Sequence, residues 1–326
     1  MKTLSLIHLG IGKVGSEVVK QITSQRTEIK KTFGVDLVYQ GKFTAENTQE
    51  EIAKVINTVA LPFVLIDTTA SEQTIQLIKQ ALQRGGFVVL ANKKPLSGEQ
   101  KEFDVLNKIG GKRLLYECTV GAGLPVIQAV KTLKETGDEI IEIQGCFSGT
   151  LGYLFSQMDK GIPFSMAVLD AKMKGFTEPD PRDDLSGKDV ARKALILARL
   201  LGQRISFDEI NLKGLYPGSM SNLSRDEFLK NVSELDSLYK MKQEKAQKEN
   251  KVLRFVAKVT RKGCIVGLQS IDKTSDIGGL SGPDNLVVIK TKRYFDNPLV
   301  IKGPGAGIEV TAAGVFADIL TAAKMI

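Results

Sequence analysis

The sequence predicts an α/β protein in two domains: one built on a parallel sheet, and an α+β domain built on a mixed sheet. Three observations carry this. An apolar run at residues 4–9 leads directly into Gly10-Ile11-Gly12-Lys13-Val14-Gly15, and then into a helical pattern through Val18, Val19 and Ile22. Further apolar runs at 63–66 and 87–90 follow helix-length gaps, the rhythm of strand–helix–strand crossovers. From Ile140 onward the pattern changes to alternation, Ile141-Glu142-Ile143-Gln144, as a half-solvated strand requires.

Taken in order, the first strand is short and apolar, as a buried parallel strand is, and His8 is expected to pack or hydrogen-bond within it. The G-x-G-x-x-G after it stands in strand–turn–helix context, which makes the first domain Rossmann-type. Gly10 allows the tight turn, Gly12 lets the backbone approach a pyrophosphate, and Gly15 lets helix and strand pack closely. Residues 10–15 are thus the expected cofactor contacts, with the N–H groups of the helix start facing the phosphates. The second strand is expected at 35–39, followed by Gln40-Gly41-Lys42 where a ribose-binding acid would stand. With no carboxylate there and Lys42 at hand, NADP is favoured over NAD. The third strand ends in Asp67-Thr68-Thr69, which places polar side chains, Thr69 among them, at the cofactor crevice. A helix at 72–83 stops at Gly85-Gly86. The strand at 87–90 leads into Asn92-Lys93-Lys94-Pro95, where Lys93 is placed to reach a reacting carbonyl. Residues 114–117 extend the sheet into a glycine turn, 118–125, whose carbonyls can converge on one point.

A helix at 125–133 leaves this domain, and Gly149-Thr150-Leu151-Gly152-Tyr153 opens the next. Glu178-Pro-Asp-Pro-Arg-Asp-Asp then forms an ordered, extended acidic loop, because its two prolines fix φ and remove donors. Ser186 is expected to cap the helix after it, with Asp189 in the capping-box position. Val190, Ala194, Leu197 and Leu201 form that helix's apolar stripe, and Asp189 and Lys193 share one face a turn apart. A stiff acidic loop beside an acid–amine pair suits a small substrate bearing an amine. Runs at 252–259 and 264–271 form a hairpin, those at 286–291 and 299–301 alternate similarly, and Gly303-Pro-Gly-Ala-Gly307 feeds a last helix at 310–323 that closes the nucleotide domain. The expected domains are 1–125 with 302–326, and 126–301.

Composition narrows the function. Forty-two per cent hydrophobic and 25% charged residues describe an ordinary globular protein, and no apolar run is long enough to span a membrane. Three scattered cysteines make neither a disulfide framework nor a metal pattern, which fits a reducing cytoplasm. One histidine cannot serve a histidine-rich zinc site. The net charge of +8 comes with no nucleic-acid module, and lysines 240, 242, 245, 248 and 251 alternate with acids on a solvated helix.

Five blocks of the chain resemble homoserine dehydrogenases: the segment 178–193, Asn92-Lys-Lys-Pro-Leu96, the turn at 117–125, the helix opening at 148–153, and Gly303-Pro-Gly-Ala-Gly307 with the helix after it. The resemblance implies reversible NAD(P)H-dependent reduction of L-aspartate 4-semialdehyde to L-homoserine, by a homodimer paired through its mixed sheet. It places Lys93 and Gly307 at the cofactor, Lys93 also among the catalytic groups, and Thr150 and Tyr153 at the substrate. It implies a monovalent cation, sodium-type, on Glu117 and the carbonyls of Val120, Ala122 and Leu124. Glu178 with Asp183 or Asp184 would orient the substrate ammonium. Asp189 and Lys193 would sit at the reacting end, with Lys93 or Lys193 as proton donor. Ser148 and Gly152 stand where the family has asparagines. No kinase or regulatory domain is expected, and hence no threonine feedback through one. Two other readings stay open: another two-domain amino-acid dehydrogenase, and a catalytically silent NADP-binding sensor.

Overall fold

A computed structural model describes residues 1–326. Contacts divide the chain into two units, Met1–Gln128 with Ala306–Ile326, and Ala129–Gly305.

The first unit holds five strands: β1 Lys2–Leu9, β2 Val35–Phe43, β3 Phe63–Asp67, β4 Phe87–Leu90 and β5 Leu114–Leu115. They pair in the order β2-β1-β3-β4-β5, all parallel. Strands buried on both faces need no alternation, which is why β4 and most of β3 read as apolar runs and why β1 is buried from Leu4 to Leu9 despite Ser5 and His8. Leu4, Leu6, Val64, Ile66 and Val89 pack with Val18 and Ile22 of the helix Lys13–Phe33, and with Ala312, Val315 and Ile319 of the helix Ile308–Lys324. The last helix therefore completes a core that the first strand begins. Because β1 lies between β2 and β3, the strand order reverses beside its carboxyl end, the place where such sheets take ligands.

The second unit holds β6 Ile140–Cys146, β7 Asn211–Leu212, β8 Lys251–Thr260, β9 Gly263–Asp272, β10 Asp284–Thr291 and β11 Leu299–Pro304. Their order is β11-β10-β6-β8-β9-β7, antiparallel except for β7 on β9. Phe255 of β8 meets the start of the helix Lys188–Leu200. The register lines Val300, Val288, Gln144, Lys258 and Ile265 across the sheet, with Ile265 46% and Val300 37% exposed.

Several boundaries differ from expectation. β2 runs on to Phe43, so Lys42 lies inside the strand rather than after it; a bulge at Gln40 takes up the extra residue and keeps the pairing with β1. β5 is only two residues long, because Glu117 turns into a 3-10 helix, Glu117–Thr119. The helix expected from residue 72 starts at Ile75, after the hydrogen-bonded turn at Thr69, Ser71 and Gln73.

Candidate functional site

In the first unit the glycine turn has the geometry a phosphate needs. Gly10 has φ +89°, and a Cβ there would lie 2.9 Å from the Thr69 nitrogen. A Cβ on Gly15 would lie 2.1 Å from the Gly10 carbonyl oxygen, so helix and strand approach too closely for any side chain. Around Gly12 the space is open, and no side chain caps the helix that begins at Lys13. The first-turn N–H groups of Lys13 and Val14, with Ile11 before them, are left to an anionic ligand. Gly307 makes a second such start. It has φ +128°, open space about it, and heads the helix Ile308–Lys324 without a side-chain cap.

The floor of this region is a polar knot on Asp67, which is fully buried. Its carboxylate accepts hydrogen bonds from the Thr69 N–H and hydroxyl, at 2.9 and 2.7 Å, from the Thr74 hydroxyl at 2.7 Å, and from the Asn92 amide at 3.1 Å. Thr69 is thus spent on shaping the turn through its own donor, and the Ser71 N–H donates back to its oxygen. Sequence reasoning missed Asp67 as the organiser; an acid ending an otherwise apolar strand was its signal. Lys93 heads the short helix Lys94–Ser97, whose Leu96 and Ser97 N–H groups donate to the Lys93 carbonyl. Its ammonium opposes the rise that burial imposes on the Cys118 thiol. Lys42 stacks its ammonium 5.5 Å from the Tyr39 ring centre.

Glu117 is also buried, and both its oxygens are engaged by the helix Val126–Glu135: the Ile127 N–H donates to one at 2.7 Å and the Gln128 N–H to the other at 2.8 Å. The turn behind it bends sharply, with Gly121 at φ +88° and Ala122 at φ +55°. Leu124 gives its carbonyl to the Val126 N–H.

In the second unit the segment 178–193 folds differently from the expected loop. Asp180 caps a short helix, Pro181–Leu185, accepting the Arg182 N–H at 3.0 Å, so Asp183 and Asp184 are helical rather than extended. Pro at the first helical position after an Asp cap is a standard helix start. Ser186 closes that helix, and Gly187, at φ +71°, precedes Lys188–Leu200 with no side-chain cap. The Ser186 hydroxyl donates to the Asp183 carbonyl at 2.8 Å and accepts the Lys188 N–H at 3.3 Å, without reaching the Asp189 N–H that a capping box needs. The expected capping box is absent because glycine makes the reversal that joins two adjacent helices.

Lys193 is 9% exposed and its ammonium is held at two points. It donates to the Phe147 carbonyl at 2.7 Å and pairs with Asp189 at 2.8 Å, whose side chain is 52% exposed. Asp189 lines a cavity of about 480 Å³ together with Ser148, Glu178, Asp183, Asp184 and Arg192. Thr150 sits behind this wall, its hydroxyl 2.9 Å from Asp184 and 2.5 Å from the Phe176 carbonyl. The Glu178 N–H donates to the other Asp184 oxygen at 2.8 Å. Burial raises Asp184 above the usual carboxylate range, against hydrogen bonds that lower it. The structure does not bring the Tyr153 hydroxyl to this group. It donates to Asp170 and accepts from Lys174 at 2.6 Å, with Phe176 tilted on its ring. Ser148 caps the helix Gly149–Asp159 through the Leu151 N–H, and a Cβ on Gly152 would lie 2.9 Å from the Gly282 carbonyl, so that position cannot hold an asparagine here. Arg182, unassigned in the sequence, ties the segment down: it pairs with Asp180 at 2.6 Å and donates to the Ser221 and Leu223 carbonyls.

A nucleotide-type sheet open at its switch point, and a separate unit that holds a buried ammonium against an acid-lined cavity, define the class of two-unit dinucleotide-binding proteins. Two family models match, one described as homoserine dehydrogenase over residues 125–320, the other as its NAD-binding domain over residues 10–117. The homoserine dehydrogenase of Saccharomyces cerevisiae is 35% identical over 99% of this chain and 99% of its own length. That of Schizosaccharomyces pombe is 41% identical over 86% of this chain and 77% of its own. A bifunctional aspartokinase/homoserine dehydrogenase of Zea mays is 35% identical over 98% of this chain, which spans 38% of that relative's length. A Candida auris protein of unknown function superposes with a TM-score of 0.91 at 31% identity, covering 100% of this chain and 99% of that one. The chain belongs to the homoserine dehydrogenase family.

Proposed function

We propose that the chain catalyses the reversible reduction of L-aspartate 4-semialdehyde to L-homoserine with a nicotinamide dinucleotide. The observation that carries this is the Lys193 ammonium, fixed between Asp189 and the Phe147 carbonyl beside the acid-lined cavity. Unit one, expected as 1–125 with 302–326, takes the dinucleotide on Gly10 to Gly15 and Gly307; the remaining unit takes the amino acid. A bound nicotinamide supplies the hydride. The chain's own part is to hold the aldehyde and manage one proton. Glu178 with Asp183 and Asp184 presents carboxylates to the substrate ammonium. Thr150 steadies Asp184, while Tyr153, tied to Asp170 and Lys174, supports the wall through Phe176 rather than touching substrate by its hydroxyl. Lys193 or Lys93 donates the proton to the developing alkoxide. Asp189 holds Lys193 in place through their ion pair.

NADP is preferred over NAD on this reading, since the last residues of β2, Gln40 to Phe43, carry no carboxylate and Lys42 is exposed among them. Thr69 serves the cofactor by shaping the turn. A sodium-type ion is held by Glu117 and the carbonyls of Val120, Ala122 and Leu124: an all-oxygen set with one negative charge suits a hard monovalent cation. The chain works as a homodimer through the sheet face that carries the exposed Ile265 and Val300, in the cytoplasm, where its three buried cysteines stay reduced.

The test is oxidation of NADPH and of NADH by purified protein given aspartate semialdehyde. Turnover with NADPH in excess of NADH is expected, and Lys193→Ala should lower kcat about 10²–10⁴-fold. Full turnover in both Lys193→Ala and Lys93→Ala would remove the proton-donor assignment. Turnover with neither dinucleotide would remove the reaction itself.

A further inference from the structure

The one histidine of the chain, His8, is fully buried on β1, two residues before Gly10. Its Nε2 stands 3.0 Å from the Thr68 hydroxyl oxygen. That oxygen lies 2.6 Å from the Gly10 carbonyl oxygen and 3.1 Å from the Leu9 carbonyl oxygen. A hydroxyl carries a single proton and a carbonyl can only accept. The threonine proton therefore goes to Gly10, and the imidazole must be the donor in its own contact. His8 is fixed as the Nε2–H tautomer. Its Nδ1 is buried with no hydrogen-bond partner, and the Tyr39 ring lies parallel to the imidazole at 6.2 Å. Burial, and then the Lys42 charge, lower His8 to about 4, so the ring is neutral near pH 7.

The far end of this relay is the turn itself. Gly10 occupies the left-handed region, and the Thr68 hydroxyl also lies 2.9 Å from where a Gly15 Cβ would sit. One hydroxyl thus donates to the first glycine of the turn and stands beside the last, while the His8 N–H holds its acceptor side. We propose that His8 is a positioning residue for dinucleotide binding: through Thr68 it fixes the Gly10 peptide, and so the direction in which the amides from Gly12 to Gly15 face a pyrophosphate. This rests on the dinucleotide-binding reading above.

The experiment titrates NADPH and NADH by fluorescence into the wild-type chain and into His8→Val, His8→Gln, Thr68→Val and the His8→Val/Thr68→Val double variant. It also records the 15N–1H spectrum of the single imidazole. The expected spectrum shows the Nε2–H tautomer from pH 8 to pH 5. Losing either end of one hydrogen bond should raise the dinucleotide Kd about tenfold. The double variant should be no worse than either single one, because both remove the same relay. His8→Gln, which keeps a donor at similar reach, should recover most of the affinity, and KM for the aldehyde should not move. A folded His8→Val with wild-type Kd overturns the inference. So does an Nδ1–H tautomer in the wild-type spectrum, a result that needs no variant to fold. A wild-type chain that binds neither dinucleotide would instead refute the nucleotide reading, and the relay with it.

Discussion

Thr150 has one hydroxyl proton and two oxygens facing it, the Phe176 carbonyl and Asp184. When Asp184 is ionised, only one of them can be served. When it is protonated, Asp184 can donate to Thr150 and Thr150 to Phe176, which is the direction in which burial pushes this carboxyl. An acid whose folded pKa is raised stabilises the fold fully below its unfolded value near 3.8 and loses that contribution as pH rises through the folded value. Asp184→Asn should therefore raise Tm at pH 8 and leave it unchanged near pH 3.5, while turnover falls; calorimetry at both pH values checks this. His8 has the opposite sign. Its pKa falls from 6.5 to about 4 on folding, so its contribution is whole above pH 6.5 and drains away toward pH 4. That makes about 3 kcal/mol of acid lability from one side chain, which the acid limb of a pH–stability curve for His8→Gln should lack. Single residues were legible in the sequence where chemistry forces identity, as at Gly10 and Gly15. Asp67, Arg182 and the His8 relay were not, because each depends on partners brought from distant strands and loops.

Between Leu185 and Lys188 two helices meet at almost no distance, and Gly187 makes the joint possible. It has φ +71°, and a Cβ there would lie 2.5 Å from the Phe255 ring. Gly187→Ala should cost at least about 2 kcal/mol in a urea melt, from the left-handed backbone and the clash together. Because Asp189 and Lys193 lie in the first two turns beyond, kcat/KM should fall by more than the lost stability explains at temperatures where the variant is folded. The helix Lys188–Leu200 itself was legible from its apolar stripe. Its start was not, since Ser-x-x-Asp satisfies a capping pattern that the short helix Pro181–Leu185 pre-empts. The Asp180-Pro181 pair was the overlooked signal. The same logic extended β2: propensity alone ends it near Tyr39, and pairing with β1 carries it to Phe43 through the bulge.

Across the whole molecule, the two alternation regimes of the sequence marked the two kinds of sheet, parallel and mixed, and hydrophobic period was enough for that. Strand order was not readable, because it is set by crossovers between segments that carry no local mark. The row Val300, Val288, Gln144, Lys258 and Ile265 became visible only once the register of four strand pairs was known. If this row is the pairing face of a homodimer, Ile265→Lys with Val300→Glu should convert dimer to monomer in sedimentation velocity, with the near-ultraviolet signature of the fold kept. An unchanged dimer would place the interface elsewhere.

The helix Ile308–Lys324 lends Ala312, Val315 and Ile319 to a core whose other members come from the first strands and helix. A ribosome delivers that helix only after the whole of Ala129–Gly305 has emerged. Through most of synthesis the nascent sheet must wait with one apolar wall uncovered, while the inserted unit is free to finish first. Until residues 306–326 emerge, the growing chain therefore exposes apolar surface at its beginning rather than at its middle. A released fragment of residues 1–128 should precipitate or bind an apolar dye, and adding residues 306–326 in trans should relieve it.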